Sequence, residues 1–282
     1  MGPLYALMVS ASLLVAGEPA DSPSAADVAA GPVHEIWTGD LRSLAVPAFQ
    51  NWIAQANPEQ RRELTQRLLA ALADRDSTVR WQAVRGLMEL ADSSQPVVDG
   101  LVLALVDADL MVRMSAGTAL QRLVARPSEL RATLYAKLRQ GDELAQRGAI
   151  AGLTTLRLGG PTLSAELAPA LRTGSPVVRR EAAQALGALG AEDPAAVPTL
   201  IDVLHDPDAV VRWSAADALG KLGSRAYAAC AALRAAAADP DHLVRWRATH
   251  ALREIAPPSP VPIPEHAPNP TPVGVARSAL DS

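Results

Sequence analysis

An internal repeat of 33 residues, the spacing from Val79 to Val112, is the feature that most constrains the fold of this 282-residue chain. A core slot recurs six times at that spacing, at Val79, Val112, Ala145, Val178, Val211 and Val244. Alanine stands four residues after every slot, and leucine stands eight residues after and eleven residues before every slot. Because this phase is kept over six units without an insertion, the chain is built from repeats.

Each repeat reads as two helices. The first carries leucines eleven and often seven residues before the core slot, and the second carries core residues at the slot and at +4, +8 and +11. These spacings place the apolar side chains on one face of each helix. Position +7 is always Gly or Ala, which lets a neighbouring helix approach closely. Since one hairpin cannot bury its apolar face alone, we predict an all-α fold, an α-solenoid of six stacked 33-residue hairpins over residues 57–256.

Composition agrees with packed helices and excludes several classes of function. Aromatic residues make up only 3% of the chain, which disfavours a β-rich core. The net charge is −4, so no global positive field attracts nucleic acid or an anionic membrane. Cys230 is the single cysteine, which leaves neither a disulfide framework nor a Cys-based zinc site. We expect no cofactor.

The segments outside the repeats have their own signatures. Residues 1–17 hold an apolar run, Leu4 to Ala16, that is too short to span a bilayer and resembles a secretory signal peptide lacking a basic start. If it is one, the chain is exported to the periplasm or cell exterior without membrane insertion after processing; an uncleaved leader or a misplaced start would leave the chain cytoplasmic. We expect a disordered linker over 18–40, and over 41–56 an N-terminal capping helix whose Phe49 and Trp52, together with Trp37, cover the first repeat. Residues 257–282 are proline-rich and predicted to be disordered, either as a spacer or as a recognition segment.

Two aspartates precede the core slot in most repeats, as in DPDAVVRW at 206–213 and DPDHLVRW at 239–246. The second lies where the second helix should begin, so we predict an N-cap at Asp76, Asp109, Asp142, Ser175, Asp208 and Asp241. The first has an arginine six residues later, which gives the pairs Asp74/Arg80, Asp107/Arg113, Asp206/Arg212 and Asp239/Arg245. A divalent cation is the alternative use of such carboxylates. Capping occupies one carboxylate, the arginine neutralises the other, and no third ligand recurs, so we predict no metal site.

The recurring pattern D-x-D-x-x-V-R-W-x-A-x-x-x-L, followed by Leu-Gly-x-Leu-Gly at 186–190 and 219–223, resembles short HEAT-like repeats of the bilin-lyase type. The resemblance implies a solenoid of helix pairs whose second helices line a concave face. It also implies that the four Asp/Arg pairs form a hydrogen-bonded ladder linking successive repeats. The ladder pattern is broken in the third repeat, where Gln140 and Gln146 replace both partners, and in the fourth, where Thr173 replaces the aspartate.

The resemblance places two columns of residues on the concave face. Position +2 holds Trp81, Met114, Arg147, Arg180, Trp213 and Trp246, and position +6 includes Arg85, Gln184, Asp217 and His250. Trp and Arg are enriched at binding hot spots, so one interpretation is a groove for an acidic or extended segment, with Arg147 and Arg180 at its centre. The other is that each tryptophan packs across two neighbouring second helices.

For function, the sequence lacks a phosphate-binding glycine loop, a G-x-S-x-G elbow and an H-E-x-x-H helix. We predict a non-catalytic scaffold or adaptor, a monomer that binds another protein or a peptide segment and no nucleic acid. An enzyme subunit of the bilin-lyase type is the alternative. Likeness to deoxyhypusine hydroxylase would require repeated His-Glu pairs, and only His34-Glu35 reads that way. Likeness to alkylpurine DNA glycosylases would require a basic surface around a catalytic aspartate; Asp217, near Trp213, is the candidate, and the acidic balance opposes it.

Overall fold

The computed structural model describes residue 50 and residues 53–124 and 126–255. Within these residues the chain forms twelve α-helices and no strand, so the predicted all-α fold of six consecutive hairpins is confirmed. The predictions for 1–17, 18–40 and 257–282, and those for Trp37, Phe49 and Trp52, lie outside the described residues. Of the predicted capping helix, residues 50 and 53–55 are described and helical, and the Ile53 side chain is buried.

The chain divides into two compact units between Gly159 and Gly160, and each holds three hairpins. The helices of the first unit are α1 (Pro58–Ala71), α2 (Ser77–Leu90), α3 (Gln95–Ala104), α4 (Leu110–Leu123), α5 (Pro127–Gln140) and α6 (Glu143–Thr155). Those of the second are α7 (Leu163–Thr173), α8 (Pro176–Leu189), α9 (Ala196–Val203), α10 (Ala209–Leu222), α11 (Cys230–Ala236) and α12 (His242–Ile255). Two 3₁₀ segments, Gly190–Glu192 and Gly223–Ala229, link hairpins of the second unit.

The periodic columns form the core. The six alanines at +4 and the six leucines at −11 have no solvent-accessible surface, from Ala83 and Leu68 in the first hairpin to Ala248 and Leu233 in the last. Departures occur at the other core positions, where Ala145 at the slot, Leu252 at +8, and Leu123 and Leu156 at +11 are half-buried. Each buried leucine contributes about 1.5–3 kcal/mol of hydrophobic stabilisation relative to an exposed one, so this double column is the main source of stability.

Helix starts follow the predicted caps. The Asp109 and Asp208 carboxylates each accept two backbone N–H groups of the following turn, and Asp76, Asp142 and Ser175 each accept one. Asp241 accepts the N–H groups of Leu243 and Val244. Asn57 and Gln60 form a reciprocal capping box at α1. Each cap satisfies donors that have no partner within the helix, which is worth about 1 kcal/mol.

Second helices stack side by side, with α2 against α4 in the first unit and α8, α10 and α12 in sequence in the second. Close approach depends on glycine: a Cβ on Gly187 of α8 would lie 2.6 Å from the Ala218 Cα of α10. The third hairpin departs from this scheme, because α6 packs mainly against α5 and α3. There a Cβ on Gly148 would lie 2.7 Å from the Val102 carbonyl oxygen. The repeats therefore share the same spacing of core residues along the chain, but the third hairpin packs against its neighbours differently.

Candidate functional site

The Asp-x-Asp motif builds a ladder of ion pairs between successive hairpins. The Arg80 guanidinium donates from Nε and Nη2 to the two carboxylate oxygens of Asp107, at 2.7 and 2.8 Å. The same two-bond pairing joins Arg179 to Asp206 and Arg212 to Asp239 at 2.7–2.9 Å. Each arginine reaches the aspartate 27 residues later, in the next hairpin. The pairs six residues apart are joined differently, because Nη1 of the arginine donates to the main-chain carbonyl of its own aspartate, as Arg212 does to Asp206 at 2.9 Å.

This geometry corrects the ladder at its ends and in its middle. Arg179 is not among the four predicted pairs. It nevertheless forms a rung of the ladder, that is, one arginine–aspartate ion pair between hairpins, with Asp206 of the fifth hairpin. Asp74, at the first position, accepts the N–H of Asp76 and forms no ion pair with any described residue. At the same spacing of 27 residues, the position that corresponds to Arg113 is Gln140, which has no carboxylate, and the position that corresponds to Arg245 is 272. Among the described residues neither arginine has a carboxylate partner, and each is held by two carbonyl oxygens through Nη1.

The carboxylates of the rungs are stabilised in their charged form. The hydrogen bond from Arg212 holds the pKa of Asp239 below its usual value, with a further contribution from the Asp241 N–H and against an opposing effect of burial. For Asp107 and Asp206, burial favours the neutral acid, but the arginine and one backbone N–H overcome it, so their pKa values are also lowered. Three hydrogen bonds, two from the arginine and one from a backbone N–H, occupy both oxygens of each carboxylate. The motif is therefore structural.

The position +2 residues differ in exposure and in contacts. Trp81 is half-buried; its indole N–H donates to the Ser115 Oγ of the next second helix at 2.9 Å, and Arg85 lies over its ring at 4.8 Å. Trp213 is half-buried as well, whereas Met114 and Trp246 are exposed, Trp246 with 59% of its surface. Trp81 thus fits the interpretation in which a tryptophan packs across two neighbouring second helices. Trp246, on the last described helix, is exposed and fits the interpretation in which the side chain is available to a binding partner.

Arg147 on α6 and Arg180 on α8 belong to different units, and both are half-buried. The Arg180 guanidinium lies 3.5 Å from the Glu181 carboxylate. Gln184, one turn after Arg180, is half-buried too. The structure therefore places Arg147 and Arg180 on second helices, as the sequence predicts, and assigns them separately to the two units.

Asp217 and His250 belong to an ionic cluster around Arg247 that the sequence did not predict. Arg247 is buried, and its guanidinium donates to Asp217 at 2.8 Å and to Glu254 at 3.0 Å. His250 Nδ1 lies 2.9 Å from the same guanidinium. Burial would raise the pKa of Asp217, but hydrogen bonds from Lys221 and Arg247 hold it below its usual value. The cluster ties α12 to α10, so Asp217 has a structural role in this unit.

Exposed apolar side chains are concentrated on the second helices. Nine large apolar side chains are exposed in the described part of the chain, and seven of them lie in the first two turns of second helices. We call these seven the second-helix surface: Leu110, Met111, Met114 and Leu144 in the first unit, and Val210, Leu243 and Trp246 in the second. Several occupy positions −1 and +2, which are three residues apart and so share one face of a helix. The two others are Leu103 and Tyr227.

Over residues 53–124 and 126–255, no group of three or more His, Cys, Asp or Glu side chains is arranged to hold a metal ion. Over the same ranges no helix is both long and apolar enough to cross a membrane.

HEAT repeats are recognised in the sequence over residues 130–219 and 164–253. No curated protein matches the chain significantly. Among solved structures, human deoxyhypusine hydroxylase in complex with glycerol is similar over 89% of this chain and 98% of its own, at 24% identity and a TM-score of 0.38. The complex of CpcE and CpcF of phycocyanin lyase from Nostoc is similar over 84% and 90%, at 21% identity and a TM-score of 0.32. A designed armadillo repeat protein in complex with the peptide (KR)4 is similar over 69% and 100%, at 18% identity and a TM-score of 0.41.

Proposed function

We propose that this chain, a HEAT-like repeat protein, is a non-catalytic scaffold or adaptor that binds a segment of another protein on the second-helix surface. One observation carries the proposal: seven of the nine exposed large apolar side chains of the described residues lie on the same two turns of the repeat. Scattered exposed apolar residues are normal on a protein surface, but here they recur at positions −1 and +2 of neighbouring hairpins within each unit, as Met111 and Leu144 do in the first unit and Val210 and Leu243 do in the second. Such a surface is retained where it is covered by a partner.

The chemistry of that surface suits a polypeptide ligand. Trp246, Met114 and the aliphatic side chains offer apolar contact area, and burying it on binding contributes about 25 cal/mol per Å². Arginines stand at the same +2 position in other hairpins, at Arg147 in the first unit and Arg180 in the second. Trp and Arg together are the residues that most often dominate the binding energy of interfaces. We include Arg147, Arg180, Gln184 and Trp213 in the proposed partner-binding surface, and we propose that export, if residues 1–17 are a signal peptide, sets where the partner is met.

Quantitative affinity capture tests the proposal. The baits are the natural chain, a Leu243→Ser/Trp246→Ser variant and a matched Tyr227→Ser variant, which alters an exposed aromatic side chain (69% exposed) on the 3₁₀ segment Gly223–Ala229 and not on a second helix. A partner should be captured by the natural chain and by Tyr227→Ser and be reduced at least tenfold with the double variant. An Arg147→Ala/Arg180→Ala bait extends the test to the two arginines.

Circular dichroism of each bait shows whether it is folded. For the Leu243→Ser/Trp246→Ser and Tyr227→Ser baits we expect unfolding temperatures within about 2 °C of that of the natural chain, because the altered side chains are exposed. Equal recovery of the same proteins by all folded baits would overturn the proposal.

A further inference from the structure

The ladder leaves one arginine at the end of the second unit oriented for a carboxylate that the described chain does not supply. In Arg212, Nη1 donates to the carbonyl oxygens of Asp206 and Pro207 at 2.9 and 3.1 Å, and Nε and Nη2 bind the Asp239 carboxylate. In Arg245, Nη1 donates to the carbonyl oxygens of Asp239 and Pro240 at 2.7 and 2.8 Å. The same two-carbonyl clamp therefore holds Arg245, while its Nε and Nη2 edge has no acceptor among the described residues.

We propose that Arg245 is a carboxylate-binding site for the partner, an Asp or Glu side chain in an extended acidic segment whose neighbouring apolar residue packs on Trp246. The proposal rests on the interaction function proposed above and names the chemistry of its ligand. Three arginines of this chain already bind a carboxylate through this edge, with both bonds between 2.7 and 2.9 Å. A guanidinium fixed in advance loses little conformational entropy when it binds two carboxylate oxygens.

The surroundings of Arg245 favour a negatively charged ligand. A surface depression of about 350 Å³ is lined by Ala237, Arg245, Trp246, Thr249, His250 and Arg253. No acidic side chain lines it. Arg253 is exposed and forms no ion pair with any described residue, so two cationic side chains face the depression. Trp246, the exposed residue directly after Arg245 in α12, supplies an apolar face that an extended or proline-containing segment can cover.

Position +9 of the second helix distinguishes α12 from the other two second helices of its unit. This position is Gly187 in α8 and Gly220 in α10, where a Cβ would lie 2.6 Å from the Ala218 Cα and 3.3 Å from the Ala251 Cβ of the next helix. In α12 the same position holds Arg253, an exposed cation. A second positive charge near Arg245 favours an acidic segment as the ligand over another apolar helix.

An NMR titration of the full chain with a synthetic peptide tests the site. The probe is acetyl-(Glu-Pro)4-amide, the control peptide is acetyl-(Gln-Pro)4-amide, and the signal is the Trp246 indole N–H resonance, assigned with a Trp246→Phe variant. We expect the glutamate peptide to shift this resonance with a Kd at least tenfold lower than that of the glutamine peptide, because charge-assisted two-bond pairing is worth about that factor or more.

Matched variants locate the effect. Arg245→Gln should raise the Kd for the glutamate peptide about tenfold or more, and Arg245→Lys should recover only part of the loss because it lacks the two-bond geometry. Arg113→Gln removes an arginine with the same carbonyl clamp in the other unit and should leave the Kd unchanged. Since Arg245 forms no ion pair with a described residue, its variants lose only exposed hydrogen bonds to the Asp239 and Pro240 carbonyls, and we expect them to remain folded with a loss of about 1 kcal/mol or less in unfolding free energy.

Three results would overturn the inference. Equal affinity for the two peptides would mean that no carboxylate is recognised, and an unchanged Kd in folded Arg245→Gln would mean that another residue recognises it. A Glu265→Gln/Asp281→Asn chain that binds the glutamate peptide tenfold more tightly would show that the carboxylates of residues 257–282 occupy the site in place of a partner. All three concern the ligand of Arg245 alone; the proposed function is judged independently by the capture of a partner by the natural chain and by Tyr227→Ser.

Discussion

Replacing Asp239 by asparagine removes one rung of the ladder while keeping the shape of the side chain. The Asp239 carboxylate accepts Nε and Nη2 of Arg212 at 2.8 and 2.9 Å and the N–H of Asp241 at 2.8 Å. Only 9% of its side chain and 14% of that of Arg212 is exposed. Asparagine can still accept from Asp241, but it offers the guanidinium one oxygen and no charge. A charge-assisted hydrogen bond contributes about 1.5–3 kcal/mol, so we expect a loss of about 2–3 kcal/mol in unfolding free energy.

Asp74→Asn is the matched control for this change. Asp74 has the same place in its motif and accepts the Asp76 N–H at 2.8 Å, but it forms no ion pair with a described residue. We expect this variant to lose less than about 0.5 kcal/mol, as is usual for a surface substitution. Urea unfolding followed by circular dichroism at one pH compares the two. An equal loss in both variants would show that the ion pair with Arg212 adds no stability beyond the hydrogen bond within the local turn.

Three further predictions follow from the same contacts. The rung aspartates have a pKa in the folded protein below their ordinary value of 3.8. Their contribution to the free energy of unfolding is therefore complete above pH 3.8 and is lost as the pH falls through the folded pKa. Urea midpoints at pH 6 and pH 2.5 should therefore differ less for Asp239→Asn than for the natural chain, and a larger difference in the variant would contradict this. Arg179→Gln should cost about 2–3 kcal/mol of unfolding free energy, whereas Arg180→Gln, which removes a half-buried arginine with a long 3.5 Å contact to its neighbour Glu181, should cost less than about 1 kcal/mol; similar losses would show that the Arg179–Asp206 pair adds no particular stability. Gly187→Ala should lower the unfolding temperature, since its Cβ would meet the Ala218 backbone at 2.6 Å and overpacking costs about 1–3 kcal/mol, against a gain of about 1 kcal/mol in helix propensity; a higher unfolding temperature would mean that α8 and α10 can separate at little cost.

The sequence predicted the hairpins because the apolar period is a local property. Six alanines and six leucines at fixed positions are completely buried, and side-chain caps form at Asn57 and at the six predicted cap residues of the second helices. Capping depends on atoms within three residues, so the linear order is enough to find it. The order of hairpins along the chain follows from the same period.

The ladder pairing was harder to predict because it crosses a junction. Asp and Arg six residues apart suggested pairs within the motif, but an arginine side chain on the second helix points to the following hairpin. The sequence signal for a rung is Arg followed by Asp at a spacing of 27, which Arg179 and Asp206 satisfy and Arg113 and Gln140 do not.

The exposure of residues on the candidate surface depends on contacts with neighbouring hairpins, which the 33-residue spacing does not specify. Trp81 is half-buried because the next second helix supplies Ser115, whereas Trp246 is on the last described helix and remains exposed. Arg247, the centre of the ionic cluster, is at position +3 of its second helix. The other hairpins hold Gln82, Ser115, Gly148, Glu181 and Ser214 there, so no repeated residue type at this position predicted the cluster. The docking of α6 on α3 is marked in the sequence only by Gly148 at that position.

Site-specific photo-crosslinking in the organism that makes this protein shows which surface contacts a partner. A photoreactive phenylalanine analogue replaces Trp246 in one chain and Tyr227 in another, two exposed aromatic positions in the same unit. We expect a discrete crosslinked protein from position 246, at a yield several times that from position 227. Equal yields from the two positions, or crosslinking from position 227 alone, would contradict the claim that the second-helix surface is where this repeat protein meets its partner.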